Sequence, residues 1–201
     1  MKRELDPMRI AAFELLKKHL GDRKKKTPHE ILEIGIGDGA NLQYYPENSS
    51  LTALDMNASF ETYLKDNLKK HPQVQYKRKV IAMAENMVGV EDSSLDVVVC
   101  TYVLCSANYV PSVLKEVKRV LKPGGKFLFV EHVAYPTSDW NYLIQCLTAP
   151  LWRTYFCGCN LNRKNGEEIK RTGFSNVEYE TKYNKKVWVY IRPQIVGIAT
   201  K

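Results

Sequence analysis

The sequence holds no apolar run long enough to cross a bilayer and no secretory leader. Its first residues, Met1 to Glu4, are charged at once, so the chain as it stands is expected to be cytoplasmic. No C-x-x-C pair occurs. The five cysteines are Cys100, Cys105, Cys146, Cys157 and Cys159. An odd count without a secretion signal argues against a disulfide framework. Cys157 and Cys159 flank one glycine and have no second pair at ligand spacing, so no metal site is expected. No internal repeat and no low-complexity segment appears.

What is present fits one soluble globular domain. The chain has 201 residues, 44% hydrophobic and 26% charged. The net charge is +8, concentrated in Arg23 to Lys26, Lys69-Lys70 and Lys77 to Lys79. Solvated surface charge is the favoured reading; an anionic membrane surface and nucleic acid are the alternatives.

Apolar residues switch between helical and strand spacing. Leu5, Met8, Ala12, Leu15, Leu16 and Leu20 predict an amphipathic helix, with Gly21 as its stop and a basic loop from Lys24 to His29. Short strands are expected at Glu30 to Ile34, Leu51 to Leu54 and Val74 to Ile81. Ala58 to Lys70 has helical composition, closed by His71-Pro72. Leu95 to Thr101 is almost wholly apolar, as a strand buried on both faces requires. Val113, Leu114, Val117, Val120 and Leu121 mark one helix face, ended by Pro123-Gly124-Gly125. A strand over Lys126 to Glu131 follows. Trp140 to Phe156 reads as helical. Phe174 to Tyr179 and Gln194 to Thr200 read as a terminal antiparallel pair.

The expected fold is α/β: a Rossmann-like, seven-stranded, mainly parallel sheet with helices on both faces. The expected organisation is a single domain over 1–201. Residues 1–26 form an N-terminal helix and basic loop, and 137–165 a substrate-side insertion.

Glu33, Gly35, Gly37 and Gly39 follow the first strand as E-x-G-x-G-x-G. Glycines there let the backbone turn tightly and approach a ligand. A following helix N-terminus offers N–H groups to a polar moiety. Asp55, at the end of the next strand, can accept hydrogen bonds from both hydroxyls of a ribose. Gly35, Gly37 and Ala40 also satisfy G-x-G-x-x-G/A, so the glycines alone do not separate a nicotinamide dinucleotide from S-adenosylmethionine. Three features favour the latter. Glu33 suits a cationic methionine moiety and would repel a pyrophosphate. The chain is short for a dinucleotide domain plus a substrate domain. Ala84-Glu85-Asn86 follows the third strand where an adenine amino group needs an acceptor.

These residues resemble the class I methyltransferases, with the Leu54-Asp55 acid, the Glu85 acid, the 96–101 strand and the Leu121 to Gly125 turn. Gly39-Ala-Asn41 with Tyr45-Pro46, Asp96 to Ser106, Glu131-His132-Val133-Ala134 and Gly158 to Arg163 look like the methyltransferase-like thiol S-methyltransferases. The resemblance covers roughly Ile31 to Lys201. It implies methyl transfer from S-adenosyl-L-methionine, yielding S-adenosyl-L-homocysteine, to the sulfur of a small, hydrophobic thiol. It also implies the cytosolic face of the endoplasmic reticulum or a lipid droplet, which family members reach through an apolar N-terminal segment. Ile36 stands where the family usually has Cys or another small residue.

The candidate cofactor residues are Glu33, Gly35, Gly37, Gly39, Asn41, Asp55, Met56, Glu85, Asn86, Met87, Thr101 and Tyr102. Met87 also reads as core, and Asp55 as a helix cap. His132 is the candidate for deprotonating or orienting the acceptor, because histidine titrates near neutrality; its other reading is a packed or capping histidine. Trp140, Trp152, Tyr155 and Phe156 are candidates for an apolar lid, or for core. Cys100 and Cys105 read as small core hydrophobes. The Asn/Asp-Pro-Pro-aromatic tetrad usual in nucleic-acid amino methyltransferases is absent after the fourth strand, so no nucleic-acid partner is expected. A monomer with possible peripheral membrane association is expected. The alternatives are a lipid- or quinone-type small-molecule methyltransferase, a non-catalytic S-adenosylmethionine-binding protein and a nicotinamide-dependent oxidoreductase.

Overall fold

A computed structural model describes residues 2–20 and 27–201. The expected stop at Gly21 and the basic run Arg23 to Lys26 lie outside the described residues. Helix α1 (Lys2–Leu20) precedes strand β1 (His29–Ile34). Then come β2 (Ser49–Leu54), α2 (Glu61–Leu68), β3 (Val74–Val80), β4 (Leu95–Thr101) and α3 (Val110–Val120). The chain finishes with β5 (Leu121–His132), α4 (Trp140–Tyr155), α5 (Asn165–Arg171), β6 (Asn176–Tyr183) and β7 (Pro193–Thr200).

The strands form one seven-stranded sheet in the order β3-β2-β1-β4-β5-β7-β6. β1 to β5 run parallel, while β7 lies antiparallel between β5 and β6. The Rossmann-like expectation and its terminal antiparallel pair therefore hold.

Strand periodicity sorts the core into two layers. Ile31, Val97, Val99, Leu128 and Val130 pack with Met8, Ala12, Phe13 and Leu16 of α1. Their neighbours Leu32, Ile34, Val98, Cys100, Phe127 and Phe129 pack with Val113, Leu114 and Val117 of α3 and Ile169 of α5. Both faces are covered, so β4 reads as continuous apolar sequence rather than alternation.

Two local readings shift. α2 is shorter than the helical composition of Ala58 to Lys70, with a 3-10 turn over Ala58–Phe60 at its start. The expected 126–131 strand starts at Leu121, which pairs with Leu95; the register then breaks and resumes at Val97 and Lys126. The Lys122 to Gly125 turn is thus a bulge within β5, with Gly124 at φ +77°. Helix α5 was not expected from periodicity, since its seven residues bury one large apolar side chain, Ile169.

Candidate active site

β1 and β4 are adjacent, and the order reverses between them, so their C-terminal ends open a crevice at a topological switch point. The loop after β1 enters this crevice. Gly35 passes so close to the turn after β4 that a Cβ there would lie 2.4 Å from Val103 Cγ2. Asp55, just past β2, is 8% exposed. Its Oδ2 accepts from the Gly37 N–H at 2.9 Å, and its Oδ1 from the Asn57 N–H at 2.9 Å. Those bonds fix the carboxylate without exhausting its lone pairs.

Two cavities meet across this loop. One, about 410 Å³, is lined by Gly35, Asp55, Met56, Ala84, Glu85 and Asn108 among others. The second, about 350 Å³, is lined by Glu33, Asn41, Thr101, His132, Trp152 and Cys159 among others. Gly35, Gly37, Tyr102, Ser106 and Cys157 line both, so the two form a continuous cleft.

Glu33 is 2% exposed at the base of the second cavity. It accepts from Tyr45 Oη at 2.7 Å and from Asn41 Nδ2 at 2.8 Å. Burial pushes its carboxyl up to about 7, although the Tyr45 and Asn41 bonds and the charge of Arg9 pull it back. Asn41 also donates to Thr101 Oγ1 at 3.0 Å, while its Oδ1 is buried without a partner. A buried orphan acceptor beside a carboxylate fits a donor that is also a cation, such as an amino acid ammonium. Arg9 lines the same cavity and lies 5.6 Å over the Tyr102 ring. The glycine bend, the ribose-type acid and this ammonium-type acceptor pair match the parts of S-adenosylmethionine.

Glu131 is also fully buried at the end of β5, with a different task. Its Oε1 accepts from the N–H groups of Val103 at 2.9 Å and Leu104 at 3.0 Å, and its Oε2 from Cys105 at 3.1 Å. Burial pushes this carboxyl up to about 7 against those three bonds. Tyr102, at φ +59°, starts the turn that Glu131 holds. Its hydroxyl donates to Gln194 Oε1 at 2.8 Å.

His132 is 9% exposed and lines the second cavity. Its ring lies 4.7 Å from that of Tyr102, and its Nδ1 is 3.8 Å from Cys159 Sγ. Its Nε2 is buried without a partner. Cys105 Sγ, a ring nitrogen of His132 and Cys159 Sγ lie within 4.8 Å of one another. The Cys105 thiol and the His132 ring hold the Cys159 thiol below the usual range, while Cys105 itself is pushed up. Trp152 of α4 and Phe156, just past its end, stack at 3.8 Å and close the cavity's apolar wall.

The structure gathers most of the expected residues and displaces several. Glu33, Gly35, Gly37, Asn41, Thr101, Tyr102 and His132 line the second cavity, and Asp55, Met56 and Glu85 the first. Glu85 Oε1 already accepts from the Asn108 N–H at 2.7 Å. Gly39 lines neither cavity: at φ +84°, it packs where a Cβ would meet Leu42 Cδ1 at 2.6 Å. Met87 is fully buried in the core, and Asn86 is exposed and lines neither cavity. Of the four lid candidates, Trp140 and Tyr155 are 74% and 77% exposed and line neither cavity. Cys100 and Cys105 are both core as expected, and Cys105 also lines the second cavity. Arg9, Tyr45, Glu131 and Cys159 went unassigned in the sequence. The spacing of Cys157 and Cys159 gives no sign that Cys159 meets Cys105, 54 positions earlier.

Residues 32–129 match the family described as a methyltransferase domain. The chain is 43% identical to thiol S-methyltransferase TMT1A of Homo sapiens, over 85% of this chain and 70% of that protein. It is 41% identical to thiol S-methyltransferase TMT1B of Rattus norvegicus, over 88% and 73%. Among solved structures, the CurJ carbon methyltransferase is similar with a TM-score of 0.69 at 20% identity, covering 98% of this chain and 55% of that one. Phosphoethanolamine N-methyltransferase 2 of Haemonchus contortus, in complex with S-adenosyl-L-methionine, gives 0.67 at 17% identity, covering 95% and 52%.

Proposed function

Since the chain belongs to the thiol S-methyltransferase family of S-adenosylmethionine-dependent methyltransferases, we propose that it methylates the sulfur of a small hydrophobic thiol. One observation carries this reading: the continuous cleft has Asp55 at one end, Glu33 with Asn41 near the middle, and an apolar wall with His132 and Cys159 at the other.

In this reading Asp55 accepts from the ribose hydroxyls, and the open strip from Met56 to Glu85 takes the adenine. Glu33 and Asn41 Oδ1 accept from the ammonium, and Arg9 faces the carboxylate. When bound, S-adenosylmethionine supplies an electrophilic methyl group on a sulfonium. A thiolate acceptor and that sulfonium lose their opposite charges as the new bond forms, so the transition state is less polar than the reactants. The Trp152-Phe156 wall favours this by excluding water. A free thiol has a pKa of about 8.5, so only a few per cent is ionised at neutral pH. His132 is assigned to deprotonate or orient the acceptor. Most of the acceleration comes from holding two sulfurs in line across one methyl group.

The test is methyl transfer to a panel of aliphatic and aromatic thiols, with phenol, amine and lipid acceptors alongside, read by mass of the product. S-methylated thiols are expected to dominate. Methylation confined to a quinone or lipid acceptor would favour the alternative reading, and no affinity for S-adenosylhomocysteine would remove both.

Two further assignments belong to this reading. One chain builds both ends of the cleft, so a monomer suffices. The described basic clusters have local partners: Lys69 pairs with Asp66, Lys77 with Glu30, and Lys79 donates to backbone carbonyls, which supports a small-molecule acceptor over nucleic acid. No helix among the described residues is long and apolar enough to cross a membrane. Yet Trp140, Leu143, Leu147, Leu151 and Tyr155 are all exposed along α4. At 100° per residue they fall in a stripe about 120° wide with an aromatic ring at each end. Exposed Trp188, after Lys185 and Lys186, adjoins Trp152. This arrangement supports a cytoplasmic protein that rests on a membrane surface. Co-sedimentation with phosphatidylserine-containing vesicles, reduced by Leu147→Asp with Leu151→Asp, is the expected result; equal sedimentation of variant and parent would remove the stripe from that role.

A further inference from the structure

The acceptor end of the cleft holds a cluster that the reading above leaves only partly used. Cys105 comes from the turn after β4, His132 from the end of β5, and Cys159 from the loop after α4. All three are buried, at 2%, 9% and 6% exposure. All three line the same cavity. Their ligand atoms lie within 4.8 Å of one another, with His132 Nδ1 and Cys159 Sγ 3.8 Å apart. Tetrahedral zinc, with bonds of about 2.3 Å to sulfur and about 2.0 Å to nitrogen, separates neighbouring ligand atoms by about 3.6–3.8 Å. The trio therefore needs only a small contraction to grip one ion.

We propose that Cys105, His132 and Cys159 form a Cys2His site for a zinc-like divalent cation, with the fourth position open to the acceptor cavity. Two thiolates and a neutral imidazole cancel the dication's charge, which limits the cost of burying them together. Three protein ligands and one open position is the arrangement of catalytic rather than structural zinc. The backbone supports it. The Cys105 N–H is held by Glu131, whose grip on the Val103 to Cys105 turn fixes where that sulfur points. Arg163 Nη1 donates to the Leu104 carbonyl at 2.6 Å, tying the Cys159 loop to the same turn.

The proposed role of the open position rests on the thiol reading. An acceptor thiol would bind the ion through sulfur and release its proton to solvent. The sulfur lone pair would then form the bond to the methyl group as the methyl–sulfonium bond breaks. The electron pair of the broken bond stays on the departing S-adenosylhomocysteine sulfur. The ion changes no oxidation state, and the neutral thioether product is a weaker ligand than the thiolate and leaves. In this scheme His132 acts as a ligand rather than as the proton acceptor.

The test is spectroscopic and needs no turnover. The full chain, stripped with a chelator under a phosphine reductant, is titrated with Co2+ without air. The expected result is saturation at one equivalent with a sulfur-to-cobalt charge-transfer band that Zn2+ abolishes. Cys159→Ser and Cys105→Ser are each expected to weaken binding at least tenfold, since losing even an outer-shell partner typically costs 10–100-fold. Cys146→Ser, outside the cluster, is expected to bind like the parent. Should either serine variant fail to fold, the parent's thermal stabilisation by added Zn2+ gives the second measurement.

Absence of a saturable band, or equal weakening by Cys146→Ser, would overturn the site. Adding 2-mercaptoethanol to the Co2+-loaded chain should strengthen the band as a third thiolate enters; an unchanged band would overturn the open position. The two readings fail separately. Thiol methylation by metal-free protein that shows no band removes the metal and keeps the thiol reading. A band without methylation of any thiol keeps the metal and removes the thiol reading.

Discussion

The two ends of the cleft are built by different means. At the Asp55 end, the functional groups follow strands in order: the loop after β1, the acid after β2 and Glu85 after β3. Backbone N–H groups from the same loops hold Asp55, through the Gly37 and Asn57 bonds, whereas Glu85 is held by the Asn108 N–H after β4. At the other end, the cavity wall is assembled from α1, the turn after β4, the end of β5, α4 and the loop beyond it. No short motif spans those pieces. A nucleoside site can thus be encoded locally, whereas the acceptor site exists only once distant segments pack.

The two buried glutamates make the comparison sharp, because burial pushes each to about 7 while their partners differ. The largest expected effect is on stability, from Glu131→Ala. It leaves three N–H groups without an acceptor, those of Leu104 and Cys105 buried and that of Val103 partly so, which should cost about 3 kcal/mol in urea unfolding. A loss under about 1 kcal/mol would mean that the turn does not depend on this carboxylate.

Next is Asp55→Ala. Losing hydrogen bonds from two ribose hydroxyls to a charged acceptor should weaken S-adenosylhomocysteine about 100-fold in calorimetry, near 3 kcal/mol. Unaltered affinity would take Asp55 out of the cofactor site.

Glu33→Gln should have a smaller effect, about tenfold on affinity, but it carries a pH signature. The ammonium requires ionised Glu33, so parent affinity should rise with pH up to about 7 and level above it, whereas the variant's should be flat over that range. Stability of the free protein runs the other way. A carboxyl raised from 4.5 to about 7 contributes stability below its unfolded pKa, and that contribution is lost as pH rises through about 7. The variant should lose that part of the slope, leaving the part due to Glu131. A parallel pH dependence of affinity in parent and variant would show that Glu33 does not meet the cation.

The smallest expected effect is from Trp140→Ala. The side chain is 74% exposed on α4 and far from the cleft wall that Trp152 forms. Stability should change by under about 0.5 kcal/mol and KM for a soluble thiol should hold; a raised KM would return Trp140 to the lid.

Much of this was legible in the residues. The strand runs, the glycine bend, Asp55 and the terminal strand pair all carry local signatures of spacing and turn chemistry. Gly39 was legible as a required glycine, but not for its reason. Its φ of +84° and the nearness of Leu42 and Leu64 make it a packing position beside the site. Met87 looked like cofactor lining because it follows Glu85 and Asn86, yet the Met83 to Met87 turn rotates it into the core. Trp140 and Trp152 read alike as aromatics of one helix. They lie twelve residues apart, more than three turns. That separation rotates them about 120° apart, enough to put one outside and one at the cavity.

The sequence by itself determined the succession of strands and of every helix but α5, the mainly parallel class of the sheet with its terminal antiparallel pair, and the acid-and-glycine frame of the nucleoside site. Each of these follows from periodicity and turn chemistry within about twenty residues. Only the tertiary structure decided which buried carboxylate holds a turn and which faces a cavity, and that Cys105, His132 and Cys159 meet. Those outcomes depend on the meeting of chain segments dozens of residues apart, and spacing along the chain does not record such distances.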